Sequence, residues 1–474
     1  MFESQVGNMM AGVEQKYWSA MEERRVARAQ KLYHWYMNHR DEIHSDVKGA
    51  LLKSFRHSTV DQMNIRVRNV VPRIINKIAQ VYKQPAKRML DGGSKLVTEN
   101  NVTKAVTPKT DEVFQGILKR STINKKSKQW HRLGMLFNTV LVQPIVVKGE
   151  GREPYLDFLI HTPAFTIVET DQYQWNTPTA FYYPIEKVVD GRSQQVLVYW
   201  SDTEHYLIDK VGSKHAPPEN PGKVNPYNRL PVAVLRFQDD DDFWGEGKWP
   251  LVEGNEEVAV QYSNIAFTAL FQTHGQAVAI NTGLKGEPEV GPNRVIKIEN
   301  AGQAGQQQSD FKFVSPNPAI HEVQGMIDWL VKSLHVDEGF SAQQFATSIV
   351  NNSGIAKLLD NADLDELRED HRQVLEDFEH DLFEVTRTVW NTEVPFTKIS
   401  EEAIFSIAFG EPKVYKTVDE KIKERDSAIK LNLASRVDFI LEDNPELTQQ
   451  EAELRLQEIY SENKSFVTSV NSNQ

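Results

Sequence analysis

The 474-residue sequence contains no cysteine. That absence excludes disulfides, thiolate metal sites and a cysteine nucleophile, and it fits a reducing compartment. No run of about 18 apolar residues occurs, so no helical membrane span is expected. The first residues, MFESQVGNMMAGVEQKYW, lack the basic segment and apolar run of a secretion leader. A soluble protein made in the cytoplasm is the expectation. Basic charge is also in deficit: 54 Lys plus Arg stand against 66 Asp plus Glu, net −12, which opposes tight, phosphate-driven binding of nucleic acid. Locally it is acid that is missing. Gln62 to Leu90 and Val113 to Gly149 each hold seven basic residues and no acid, whereas Asp360 to Glu384 holds eleven acids against Arg368 and Arg372. Two readings fit that asymmetry: surfaces of opposite sign that meet between subunits or on an anion, or merely solvated helix faces. What is present, 40% hydrophobic and 25% charged residues, describes an ordinary globular chain long enough for two or three domains.

Residues 10–45 place Ala, Leu, Trp and Tyr among charges at near-helical spacing, and Val67 to Tyr82 continues in that manner, so 1–148 reads as mainly helical. From 149 to 242 come short β-rich runs (YLDFLIH, FTIVET, AFYYPIEKVV, QQVLVYW, HYLIDKV) separated by turn formers. In 243–274, Pro250 opens a helix that reaches about Thr273. Residues 275–316 form a compact insertion with strand-like QAVAIN, RVIKIE and FKFV. A second helix, 317–336, has Asn317 as cap and Pro318 at its first position, and repeats Ile320, Val323, Ile327, Leu330 and Leu334 along one face. The stretch 337–353 is amide-rich and reads as uncapped. In 354–415, a helix capped by Ser353 runs nearly forty residues to Trp390 and a strand follows; 416–474 is a helical tail with a capping box at Thr448 and Glu451. The fold class is α+β, mainly helical.

Reactive groups do not converge. The phosphate-loop pattern GxxxxGK[ST] is missing; WGEGKWP supplies Gly247 and Lys248 without the spacing or the Ser/Thr. HEVQG at His321 has Gly325 where a zinc-protease helix needs its second His. No GxSxG elbow occurs. The run Asp239 to Asp242, with Glu246 or Glu253, is the candidate cation site and defines the rival class, a metal-dependent nuclease or hydrolase. The favoured reading of these acids is a solvated loop ahead of a helix N-terminus, where the helix dipole favours them. No catalytic residue, metal or cofactor is expected.

In this order, the elements resemble the portal protein of tailed bacteriophages along nearly the whole chain. NRLPVAVLRF resembles the close of a portal wing, FWGEGKWPLVEGNEEVAVQYSNIAF the entry to the first stem helix, and AIHEVQGMIDWLVKSLHV the second stem helix. NNSGIAKLL is similar to the start of the long wing helix, and DEKIKERDSAIKLNLASRVDFILEDNPELTQQEAELRLQEI to the tail that enters the crown. The resemblance implies a wing (1–242), two stem helices (243–274 and 317–336), a clip (275–316), a tunnel loop (337–353), a long wing helix (354–415) and a crown (416–474).

It further implies a homo-oligomeric ring, commonly of twelve, at one capsid vertex of the virion, assembled in the host cytoplasm. Double-stranded DNA passes non-specifically through the ring during packaging and ejection. The implied partners are the terminase large subunit, the head-tail adaptor, and the major capsid and scaffold proteins, with no membrane and no catalysis. Gln343, Gln344, Thr347, Ser348, Asn351 and Asn352 are implied to face DNA, Lys332 to line the stem channel, and Lys285, Glu287 and Glu289 to meet terminase or adaptor. A solvent loop and an exposed turn are the plain alternatives for the first and last sets. Net acidity suits a conduit, since each neutralised phosphate would add affinity that holds the duplex in place. A smaller head-tail adaptor ring is the remaining reading; the chain length disfavours it.

Overall fold

The computed structural model describes residues 20–91, 95–99, 102–106, 109–149, 151–189, 192–209, 211–218, 220–274, 276–280, 310–314, 320–340, 354–410, 418–444 and 449–471. The described residues are mixed helix and sheet, 52% of them helical. Two compact units divide it, residues 1–348 with 360–410, and residues 349–359 with 411–474. No helix among the described residues is long and apolar enough to cross a membrane.

The larger unit begins with α1 (Ala20–Met37) and α2 (Arg40–Leu52), broken at Asn38, whose φ is +58°. Ile43, Val47 and Leu51 recur every fourth residue and bury one face of α2. After the single turn α3 (His57–Val60), the helix expected from Val67 is confined to α4 (Val71–Ile78). The reason lies in hydrogen bonds. Val70 N donates to Asn255 Oδ1 (2.9 Å), Asn255 Nδ2 donates to Arg68 O (2.9 Å), and Arg66 N donates to Ser263 Oγ (3.0 Å). Backbone groups committed to these buried side chains do not close helical turns.

Next come β1 (Lys87–Asp91), the hairpin of β2 (Lys95–Glu99) and β3 (Val102–Val106), then α5 (Lys109–Arg120) and α6 (Ile123–Phe137). Sheet structure resumes at Thr139, ten residues before the β texture was expected, with β4 (Thr139–Gly149) and β5 (Arg152–His161). The strands β6 (Ile167–Thr170), β7 (Pro178–Val189), β8 (Arg192–Ser201), β9 (His205–Ile208) and β10 (Lys214–His215) make a five-stranded sheet in the order β10-β9-β8-β7-β6. A separate three-stranded sheet has the order β11-β4-β5, where β11 is Ala233–Arg236. Alternation in β8 puts Val196, Val198 and Trp200 on one core face with Phe181 and Leu207, while Leu197 faces the other way with Tyr206 and Ile208.

The core closes on α9 (Gly354–Glu393), which buries Leu375, Phe378, Leu382, Val385 and Val389. Trp130 of α6 meets Phe378 and Phe158 edge-on, with ring centroids 5.7 Å and 5.6 Å away. Beyond α9, β14 (Ile404–Ala408) pairs antiparallel with β1. Arg88 of β1 forks onto Glu379 of α9, Nη2 to Oε1 at 2.5 Å and Nε to Oε2 at 2.8 Å, and both side chains are 2% exposed.

The smaller unit holds α10 (Val418–Lys430), α11 (Arg436–Asp443) and α12 (Gln449–Asn471). Arg425 bridges both carboxylate oxygens of Asp443 at 2.7 Å. A capping box forms at Ser435 and Asp438. The expected box at Thr448 lies outside the described residues.

Candidate functional site

The candidate feature is a helical hairpin whose first arm enters the core with Leu251, Val252 and Ala259. Its arms are α7 (Trp249–His274) and α8 (Ile320–Val336), and past the end of α7 the strands β12 (Gln276–Ile280) and β13 (Asp310–Val314) pair antiparallel, Gln276 opposite Val314. Pro250 sits in the first turn of α7, where its missing N–H costs nothing. The arms are antiparallel neighbours, because Gly254 near the start of α7 lies against Leu334 near the end of α8. Asn255, Val258, Ala259 and Ser263 turn a fully buried face to the unit. On α8 only Ile327 and His335 are buried; Met326, Trp329 and Val336 are 42%, 64% and 48% exposed.

The base of the hairpin is tied down at both ends. Lys248 N donates to Leu136 O at the end of α6 (2.8 Å), and Lys248 Nζ pairs with Glu338 Oε2 (2.6 Å). The stretch after α8 is not uncapped at its start: Gly339 has φ +79°, and Phe340 N returns to His335 O (3.1 Å), closing the helix end. Phe340 is buried, with Lys77 Nζ 4.6 Å from its ring centroid. An apolar residue in that polar segment is therefore an anchor to the base.

Two of the acids ahead of α7, Asp240 and Asp242, bond back to their own loop. Asp242 Oδ1 accepts from Trp244 N (2.8 Å) and Gly245 N (2.6 Å), Asp240 Oδ2 accepts from Glu246 N (3.1 Å), and Glu246 pairs with Arg28 at 2.6 Å. Those lone pairs serve loop amides. Among the described residues, no group of three or more His, Asp or Glu is placed to hold a metal ion.

Beside this loop lies a cavity of about 460 Å³, bounded by Asn138, Phe237, Gly247, Lys248, Leu367 and His371. His371 and His131 are both buried and meet at right angles, ring centroids 5.8 Å apart. Neither ring nitrogen of His131 nor Nδ1 of His371 has a partner in the structure. Burial, then the Lys248 charge, lowers the His371 pKa to about 4, with Asp370 opposing. Burial, then His371, Arg132 and Arg368, holds His131 well below the usual imidazole range. Both rings are thus neutral in the folded state. Their contribution is fully present above an unfolded pKa of about 6.5 and is lost as pH falls toward 4. The melting temperature is expected to drop across that window, and less steeply in His371→Leu. Calorimetry at pH 7, 5.5 and 4.5 checks this; parallel curves for the two proteins would remove His371 as the cause.

Of the residues singled out from sequence, Lys332 is exposed on α8, one turn past Trp329. Gln343, Gln344, Thr347, Ser348, Asn351 and Asn352, and likewise Lys285, Glu287 and Glu289, lie outside the described residues. Sequence reading missed the Lys248–Glu338 tie, whose signal was no more than one cation and one acid at the two feet of the hairpin.

No protein-family model matches this chain, and no curated protein matches it. Among solved structures, a chain from the virion of a native gene transfer agent particle is similar over 83% of this chain and 98% of its own, at 11% identity and a TM-score of 0.37. A chain from the neck of an empty gene transfer agent particle, computed with C6 symmetry, is similar over 79% of this chain and 89% of its own, at 11% identity and a TM-score of 0.35.

Proposed function

We propose that this protein is a portal-type subunit. Copies of it form a ring at one capsid vertex, a non-specific conduit for double-stranded DNA in packaging and ejection. The 275–316 module is its dock for terminase and the head-tail adaptor, and the chain has no catalysis of its own. The observation that carries this reading is the antiparallel hairpin of α7 and α8, fixed at its base to a large α+β unit and bearing a small β-ladder beyond α7. Trp329 and Val336 belong to a stripe of α8 that the chain itself leaves exposed, as expected where neighbouring copies cover it. The order of elements along the sequence, wing, stem, clip, stem, tunnel loop and long helix, supports the same reading.

Electron micrographs of the purified protein are expected to show rings with a central channel. Trp329→Glu is expected to abolish them while leaving the circular dichroism spectrum and melting temperature unchanged. A compact monomer at every concentration would sink the proposal. Cleavage of duplex DNA in magnesium or manganese, abolished by Asp240→Ala, would replace it with the hydrolase reading.

A further inference from the structure

Several charged side chains of the larger unit find partners within it, Lys31 with Glu256, Lys148 with Glu393 and Lys248 with Glu338 among them. Among the described residues without ion pairs on the larger unit are two groups of opposite sign. The first is a set of basic residues close in sequence, Arg66, Arg68, Arg73, Lys83 and Lys87, all exposed and none in an ion pair among the described residues. Its backbone is fixed, because Arg66 and Arg68 lie on the segment tied to Ser263 and Asn255, Arg73 on α4 and Lys87 on β1. The second is a stripe on α9. Asp363, Glu366, Asp370, Asp377 and Asp381 are exposed and equally without ion pairs. Steps of three, four, seven and four put them on one helical face, about 27 Å long at 1.5 Å per residue.

Like charges at such spacing repel, so each surface costs stability when left alone. They are opposite in sign, and no ion pair among the described residues joins one group to the other, although the buried Arg88–Glu379 pair ties β1 to α9 beneath them. A patch and its complement at different places on one molecule make a heterologous contact between copies. We infer that the acidic α9 stripe of one copy docks on the basic 66–87 strip of the next. This rests on the ring reading and assigns the contact that builds it. Duplex DNA is the less suited occupant: it has no use for the acidic stripe, and it would be gripped rather than passed.

The test uses two surface-charge variants, Arg66→Glu/Arg68→Glu/Arg73→Glu and Asp363→Lys/Glu366→Lys/Asp377→Lys, with mass photometry as the readout and thermal melts to confirm folding. Each variant alone is expected to need at least about tenfold more protein to assemble than the wild type. An equimolar mixture, in which every junction is again of opposite sign, is expected to recover assembly. Wild-type rings accompanied by rings of either variant alone, or a mixture that stays dissociated, would overturn the contact while leaving the ring reading intact. A wild type that never assembles would overturn both. Normal assembly of the first variant with lost retention of a 30-base-pair duplex would make the strip a nucleic-acid surface instead.

Discussion

Replacing Glu379 with alanine is expected to remove about 3–5 kcal/mol of folding stability. The carboxylate accepts the Arg88 fork through both oxygens and a third hydrogen bond from the Tyr82 hydroxyl at 2.6 Å. Burial on its own would lower the Arg88 pKa, but the Glu379 charge and hydrogen bonds raise it overall. Burial, then the neighbouring carboxylate, pushes the Tyr82 hydroxyl well up. Deleting the carboxylate strands a guanidinium that is 2% exposed, a worse state than having no ions there at all. The double variant Arg88→Met/Glu379→Leu is therefore expected to be markedly more stable than Glu379→Ala. Urea unfolding of the wild type, Arg88→Met, Glu379→Leu and the double gives the coupling. A Glu379→Ala protein within about 1 kcal/mol of wild type would mean that the pair holds nothing together.

Gly247→Ala is expected to cost on the order of 3 kcal/mol, because two effects coincide at one Cβ. The residue sits at φ +61°, and an added Cβ would stand 2.4 Å from Leu136 O and 2.9 Å from Phe137 Cα. Both obstacles are backbone, so no rotamer change relieves them. The loop must lift off α6, losing the hydrogen bond from Lys248 N to Leu136 O. Gly254→Ala is a useful contrast. Its Cβ would meet Leu334 Cδ2 at 2.5 Å, a side-chain end that can turn away, and its cost is expected to be smaller. Gly49→Ala meets open space within a helix and is expected to be neutral or slightly stabilising. Equal melting temperatures for Gly247→Ala and Gly49→Ala would refute the backbone account.

Where local chemistry decides structure, the sequence was readable. Pro250, the 3.6-residue spacing on α8 and the long apolar stripe of α9 each announced a helix, and the structure has all three. Long-range partners explain the rest. Residues 64–70 have the apolar content of a helix, yet their amides and carbonyls are taken by Asn255 and Ser263, nearly two hundred positions away. Arg88 and Glu379 are separated by 291 positions, and nothing local marks them as a pair. The cap at Ser435 uses Asp438 in place of the usual Glu or Gln, which hides it from a search for the common pattern. For the hairpin, sequence found the two arms but not the Lys248–Glu338 tie at their feet.

The bonds from Asn255 and Ser263 to the 66–70 backbone also have a mechanical meaning. From Lys248 to Ser263, α7 is clamped along about 22 Å of its length, at 1.5 Å per residue, by groups that cannot slip without breaking buried hydrogen bonds. The support extends at least one turn further, since Phe267 packs against the main core. A sideways load carried down α7 therefore reaches the core as torque, which Asn255 and Ser263 hand directly to the segment carrying Arg66 and Arg68.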